Sequence, residues 1–122
     1  MSNYHNILII DTNEQNSFKL SFYKKNEELI TRSYNTRAQE LQRSIEEFLK
    51  KEKTSLDDLE AIGFIRGTGS LTGLRIGAVT ANTLAWLLQI PIIDTGNSAE
   101  NLVSKLNQSN SLTIVEQLSH ID

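Results

Sequence analysis

Apolar positions along this chain follow two periods. Ile7-Leu8-Ile9-Ile10 is an unbroken, β-branched-rich run, the pattern of a central strand buried on both faces. After a polar, turn-forming stretch at 11–16, Phe18, Leu20 and Phe22 alternate with polar neighbours and predict a second strand. Residues 28–34 predict a third strand nearer an edge, completing an antiparallel meander. The period then lengthens. Leu41, Ile45, Phe48 and Leu49 make one stripe at helical spacing, so 36–51 reads as an amphipathic helix. Thr36 and Gln39 stand at capping-box spacing at its start. A short connector at 55–59 leads to an apolar strand at 61–65 and an apolar helix over 73–89, which ends before Pro91. Ile92-Ile93-Asp94 predicts a fifth strand. Asn97 and Glu100, again at cap spacing, open a third helix through Leu102, Val103 and Leu106. A polar loop at 107–111 precedes a short strand at 112–115.

Three sequential strands followed by alternating helices and strands, βββαβαβα, predict a single α/β domain over 1–122. Its sheet is mixed, with helices on both faces. This is the ribonuclease-H-like order, also found in one lobe of actin-like ATPases. At 122 residues the chain is long enough to bury a real core.

Five of the six glycines lie between Gly63 and Gly77, the stretch that runs from the fourth strand through a turn into the second helix. Gly67, Gly69, Gly73 and Gly77, with Ser70 and Thr72 as candidate helix caps, fit two readings. One is a phosphate cradle at a helix N-terminus. The other is a tight turn that lets the helix pack closely on the sheet. The stretch lacks the Gly-Lys-Ser/Thr ending of a P-loop and the Gly-x-Gly-x-x-Gly spacing of a dinucleotide site, since Thr72 stands at the third glycine position.

The second helix is apolar around well over half its circumference. At about 100° per residue, Gly73, Gly77, Ala81 and Ala85 line one face with Leu74, Ala78, Leu84 and Leu88. Ile76, Val79, Thr83 and Trp86 lie on another, beside Arg75 and Asn82. Either two neighbours in the same domain cover both faces, or one face meets a partner. Trp and Arg are enriched at interface hot spots, which makes the second face a candidate partner surface.

Charge and composition narrow the chemistry. A net charge of −3 argues against the basic footprint of a direct nucleic-acid binder. The chain has no cysteine, hence no disulfide or thiolate metal site, which suits a cytoplasmic protein. Neither a signal peptide nor a membrane span is expected. His5 and His120 read as surface residues, so no metal site and no cofactor is expected. Asp11 and Asp94 end strands, and Glu40 or Glu47 could join them in a metal-dependent nuclease, but Arg66 follows the fourth strand where such enzymes carry an acid. A small nucleotide hydrolase of the same fold would need a glycine-containing phosphate turn after the first strand; Asp11–Asn16 has none. These two enzymes form the alternative reading.

Gly67-Thr68-Gly69-Ser70-Leu71-Thr72-Gly73-Leu74-Arg75-Ile76-Gly77 closely resembles the signature of the bacterial TsaB (YeaZ) family, Gly-x-Gly-Ser-Phe-Thr-Gly-Leu-Arg-Ile-Gly. Ile9-Ile10-Asp11-Thr12-Asn13, Leu56-Asp57-Asp58-Leu59-Glu60-Ala61-Ile62 and the stretch from Ala81-Asn82-Thr83-Leu84-Ala85 through Ile90-Pro91-Ile92 are similar to that family too. Thr68 and Leu71 depart from it, standing where it often has Pro and usually has Phe. The first helix also lacks a His often seen near its start. The resemblance implies an N-terminal lobe without the usual second lobe. It also implies a non-catalytic scaffold that binds the catalytic paralogue TsaD and, with the ATPase TsaE, supports threonylcarbamoyl transfer to an adenosine of tRNA (t6A), touching tRNA only indirectly. It further implies pairing through the first and second helices, with TsaD or as a homodimer. That places Leu41 and Ile45 beside Arg75, Ile76, Val79, Asn82, Thr83 and Trp86 as candidate contacts, and gives the glycine loop a structural role.

Overall fold

The computed structural model describes residues 4–67, 71–94 and 98–106, and the backbone of 114–115. The strands are β1 (Ile7–Asp11), β2 (Phe18–Tyr23), β3 (Leu29–Tyr34), β4 (Ala61–Phe64), β5 (Ile92–Ile93) and β6 (Ile114–Val115). The helices are α1 (Leu41–Lys51), α2 (Leu71–Leu88) and α3 (Ala99–Leu106). One sheet runs β3-β2-β1-β4-β5-β6. The meander is antiparallel, with Leu8 opposite Phe22 and Leu20 opposite Arg32. β1, β4 and β5 are parallel, each crossover carrying a helix. β6 returns antiparallel along β5. The mixed α/β architecture read from the periodicity is the one observed.

Because successive side chains of a strand point to opposite faces, β1 feeds two cores. Leu8 and Ile10 join Phe18, Leu20, Phe22, Ile62 and Phe64 beneath α1 and α2. Ile7 and Ile9 join Tyr23, Ile93, Leu102 and Leu106 beneath α3. This is why residues 7–10 of β1 carry no polar side chain.

Helix starts differ from expectation. Thr36 and Gln39 make no capping box. A 3-10 turn at Ala38–Glu40 comes first, and α1 begins at Leu41 after Glu40 with no side-chain cap. A capping box does occur in the 55–59 connector, where Ser55 and Asp58 close a 3-10 turn over Leu56–Asp58. Asn97 lies outside the described residues. At the start of α3 the Ser98 hydroxyl accepts the Asn101 N–H (3.0 Å), so Ser98 caps that helix. The loop at 107–111 and His120 also lie outside the described residues.

Candidate functional site

The inner face of α2 is made of small residues because it lies directly on the sheet. Gly73, Leu74, Gly77, Ala78, Ala81 and Ala85 are all buried. A Cβ on Gly77 would collide with the Thr12 hydroxyl and lie 3.1 Å from the Phe64 ring. A Cβ on Gly67 would collide with the Asn13 amide oxygen. Both glycines therefore serve close approach to the turn after β1. That turn is tied to the loop after β4: Asp11 Oδ1 accepts the Asn13 backbone N–H (3.2 Å) and side-chain N–H (2.7 Å), and Asn13 Nδ2 also donates to the Ile65 carbonyl (3.2 Å). Gly73 sits buried inside α2, and Thr72 is an exposed residue of the first helical turn rather than a cap. Gly69 and Ser70 lie outside the described residues.

The strand-end carboxylates are already engaged. Asp11 holds Asn13, and Asp94 accepts two N–H groups of Arg66, the shortest contact being 2.8 Å from Nη2. Glu40 lies 3.6 Å from Arg43. Among the described residues, no three His, Asp or Glu side chains are placed to hold a metal ion. Two tyrosines have pKa values above the ordinary 10.0. Tyr23 on β2 is raised by burial and then by Glu27. Tyr34 on β3 is raised by burial and by Glu47, against the lowering effect of Arg32.

The outer face of α2 is the candidate site. Val79 is 64% exposed, Trp86 71% and Leu87 62%, with Leu71 at 41% near the helix start. Arg75 and Thr83 are exposed beside them, while Ile76 and Asn82 are half-buried. Neither the sheet nor α1 covers this strip. Leu87 is absent from the sequence-derived face; it lies about 80° further round the helix than Val79 and joins it, with Thr83 and Leu84, along one groove.

Leu41 and Ile45 do not belong to that surface. They are 1% and 2% exposed and sit in the core beneath α1. α1 has a single apolar stripe, and covering the sheet uses all of it. What α1 contributes outward is polar. Gln42 and Glu46 flank a groove of about 220 Å³ whose other wall is Val79, Thr83, Leu84 and Leu87, with Ile45 reaching its floor. The arrangement is an apolar ridge on α2 beside a shallow groove with a polar α1 bank. It is suited to receiving a protein surface.

No helix among the described residues is long and apolar enough to cross a membrane. The model of the family described as TsaD, tRNA N6-adenosine threonylcarbamoyltransferase, matches residues 32–108. The tRNA threonylcarbamoyladenosine biosynthesis protein TsaB of Haemophilus influenzae is 40% identical over 53 residues, covering 43% of this chain and 22% of that protein. TsaB of Bacillus subtilis is 57% identical over 35 residues, covering 29% and 15%. A tRNA N6-adenosine threonylcarbamoyltransferase of Cryptococcus neoformans is 41% identical over 49 residues, covering 40% and 13%. The matched stretch is thus less than a quarter of each of these proteins. Among solved structures, YeaZ from Pseudomonas aeruginosa superimposes with a TM-score of 0.68 at 24% identity, over 75% of this chain and 44% of that one. A protein with similarity to peptidase YeaZ from Pseudomonas aeruginosa gives 0.66 at 25% identity, over 72% and 41%. These likenesses extend the β-meander and α/β order to solved folds. The resemblance to TsaB and YeaZ is found in both sequence and structure.

Proposed function

Because the chain belongs to the TsaD family of tRNA N6-adenosine threonylcarbamoyltransferases, we propose that it serves t6A formation as a non-catalytic subunit, docking a TsaD-like catalytic partner on the outer face of α2. The observation that carries this reading is the exposed strip of Val79, Trp86 and Leu87 on a helix whose opposite face is fully occupied by its own sheet. Large apolar side chains exposed together mark an association surface more often than an isolated one does. The names of the TsaB relatives supply the pathway. The engaged carboxylates Asp11 and Asp94 fit a supporting role better than a catalytic one. Arg75 at one end of the strip offers a charged contact, and participation of a TsaE-like ATPase belongs to the same proposal.

Co-purification with the TsaD-like protein of the same cell tests the reading. The parent chain is expected to co-elute, and Val79→Glu and Trp86→Ala to lose the complex while keeping the parent's circular dichroism. Truncating an interface tryptophan costs about 2 kcal/mol or more where it is a hot spot, roughly a thirtyfold loss of affinity. A folded parent chain that fails to bind, or variants that bind as the parent does, would sink the proposal.

A further inference from the structure

From Ile76 to Ile93 the chain carries no charged side chain. Most of α2 and its exit into β5 lie in that interval, so the helix has no basic residue in its last turn. A helix C-terminus carries roughly half a negative charge, which a nearby Lys or Arg offsets. Here backbone and a neutral amide close the end instead. Gln89 follows the helix in the left-handed region (φ 57°). The Ile90 N–H donates to the Ala85 carbonyl (3.1 Å), the closing bond of a Schellman turn. The Gln89 side chain donates to the Trp86 carbonyl (2.7 Å). The Leu87 and Leu88 carbonyls find no donor among the described residues. Beside this end, Ala85, Trp86, Gln89, Ile90 and Pro91 frame a hollow of about 330 Å³, with Trp86 71% exposed on its wall.

Charge complementarity selects the occupant. The indole face attracts cations more strongly than other aromatic rings do, and the helix end adds attraction of the same sign. A carboxylate there would meet the negative end of α2. A purely apolar side chain would cover open carbonyls without supplying a donor, which costs their hydration. Arginine answers both walls. Its planar guanidinium stacks on an aromatic face and presents several N–H donors in one plane, whereas the compact ammonium of lysine holds its water more tightly. We propose that this hollow receives an arginine side chain of the docking partner, its guanidinium laid on Trp86 and donating to the open carbonyl end of α2. The site lies at the end of the strip that carries Val79 and Leu87, so it anchors one edge of that contact. The identity of the occupant rests on the partner reading above; recognition of a guanidinium by the free chain does not.

Trp86 is the chain's single tryptophan, so its emission reports on this hollow. The free chain is titrated, at concentrations where sedimentation velocity shows monomers, with N-acetyl-arginine amide and with N-acetyl-citrulline amide, which has the same shape and no charge. Ionic strength is held constant. The arginine probe is expected to change the emission saturably in the millimolar range, and the citrulline probe to leave it flat. Capture of the TsaD-like protein of the same cell is then compared across variants. Trp86→Phe keeps an aromatic face and should bind within a few-fold of the parent, whereas Trp86→Leu keeps only apolar bulk and should bind roughly tenfold more weakly. Gln89→Lys places a cation at the helix end within the chain itself. Its thermal midpoint should match or exceed the parent's while capture falls. Equal responses to the two probes, or Trp86→Leu capturing as well as Trp86→Phe, would overturn the proposal. So would the absence of a saturable response to arginine, and if the parent still captured its partner the docking reading would survive without this anchor. A parent that takes up the arginine probe yet captures no partner would overturn the docking reading and leave the guanidinium site standing.

Discussion

Gly77 and Thr12 show how one residue's size fixes the distance between an element and its neighbour. Thr12 is wholly buried at the end of β1, and its side chain fills the space that a Cβ on Gly77 would need. α2 can lie on β1 and β4 only while position 77 carries no side chain. Gly77→Ala should therefore destabilise the fold, by about 1–3 kcal/mol for an overpacked core site, although alanine is the better helix former. Thr12→Ala in the Gly77→Ala background should restore part of the loss by vacating that space. Thermal melts of the two proteins check this. A Gly77→Ala protein that melts with or above the parent would show that the close approach is not a constraint. Gly67 and Asn13 stand in the same relation one loop away.

α1 and α2 are both helices with apolar residues to spare in sequence, yet they use them differently. α1 has one stripe, and Leu41, Ile45, Phe48 and Leu49 are all buried in it. α2 buries a small-residue face and exposes large residues on the opposite side. Truncating each helix on the face in question separates these roles. Ile45→Ala should cost about 2–5 kcal/mol of stability, as for other large-to-small core changes, and should lower the midpoint of urea unfolding. Val79→Ala should leave that midpoint near the parent's, because an exposed side chain away from special features contributes little. Equal losses for the two would show that Val79 is covered by the chain's own fold.

For the molecule as a whole, the outer α2 strip predicts assembly. A surface that offers Val79, Trp86 and Leu87 together is expected to pair two copies about a two-fold axis when no other partner is present, since a two-fold contact lets one patch serve both sides. Val79→Glu would bury an unpaired carboxylate in that contact at a cost of about 3–5 kcal/mol while facing water in the monomer. Sedimentation velocity should show the parent's dimer splitting into folded monomers. A dimer that survives Val79→Glu, or a parent that stays monomeric at high concentration, would remove this surface from the account.

The sequence by itself determined the order of elements and the sidedness of most of them. Hydrophobic period is a local property, and the β1 run, the β2 alternation and the α1 stripe each state it without help from distant residues. Sequence also separated α2 from an ordinary sheet-covering helix by its breadth of apolar positions. What it did not decide was which of two apolar faces, or which of two apolar helices, would be left to solvent. Leu41 and Ile45 have the composition of contact residues as much as Val79 and Trp86 do. Only the tertiary structure sorted them, because the sheet beneath α1 and α2 has a finite area, and the small face of α2 fits against Thr12 and Phe64 while its large residues do not. The helix starts were settled in the same way. Thr36 and Ser98 are both competent caps by type, but the 3-10 turn before α1 left Thr36 unused, and the approach to α3 brought the Ser98 hydroxyl to the Asn101 N–H. Local chemistry proposes such partners, and the path of the surrounding chain chooses among them.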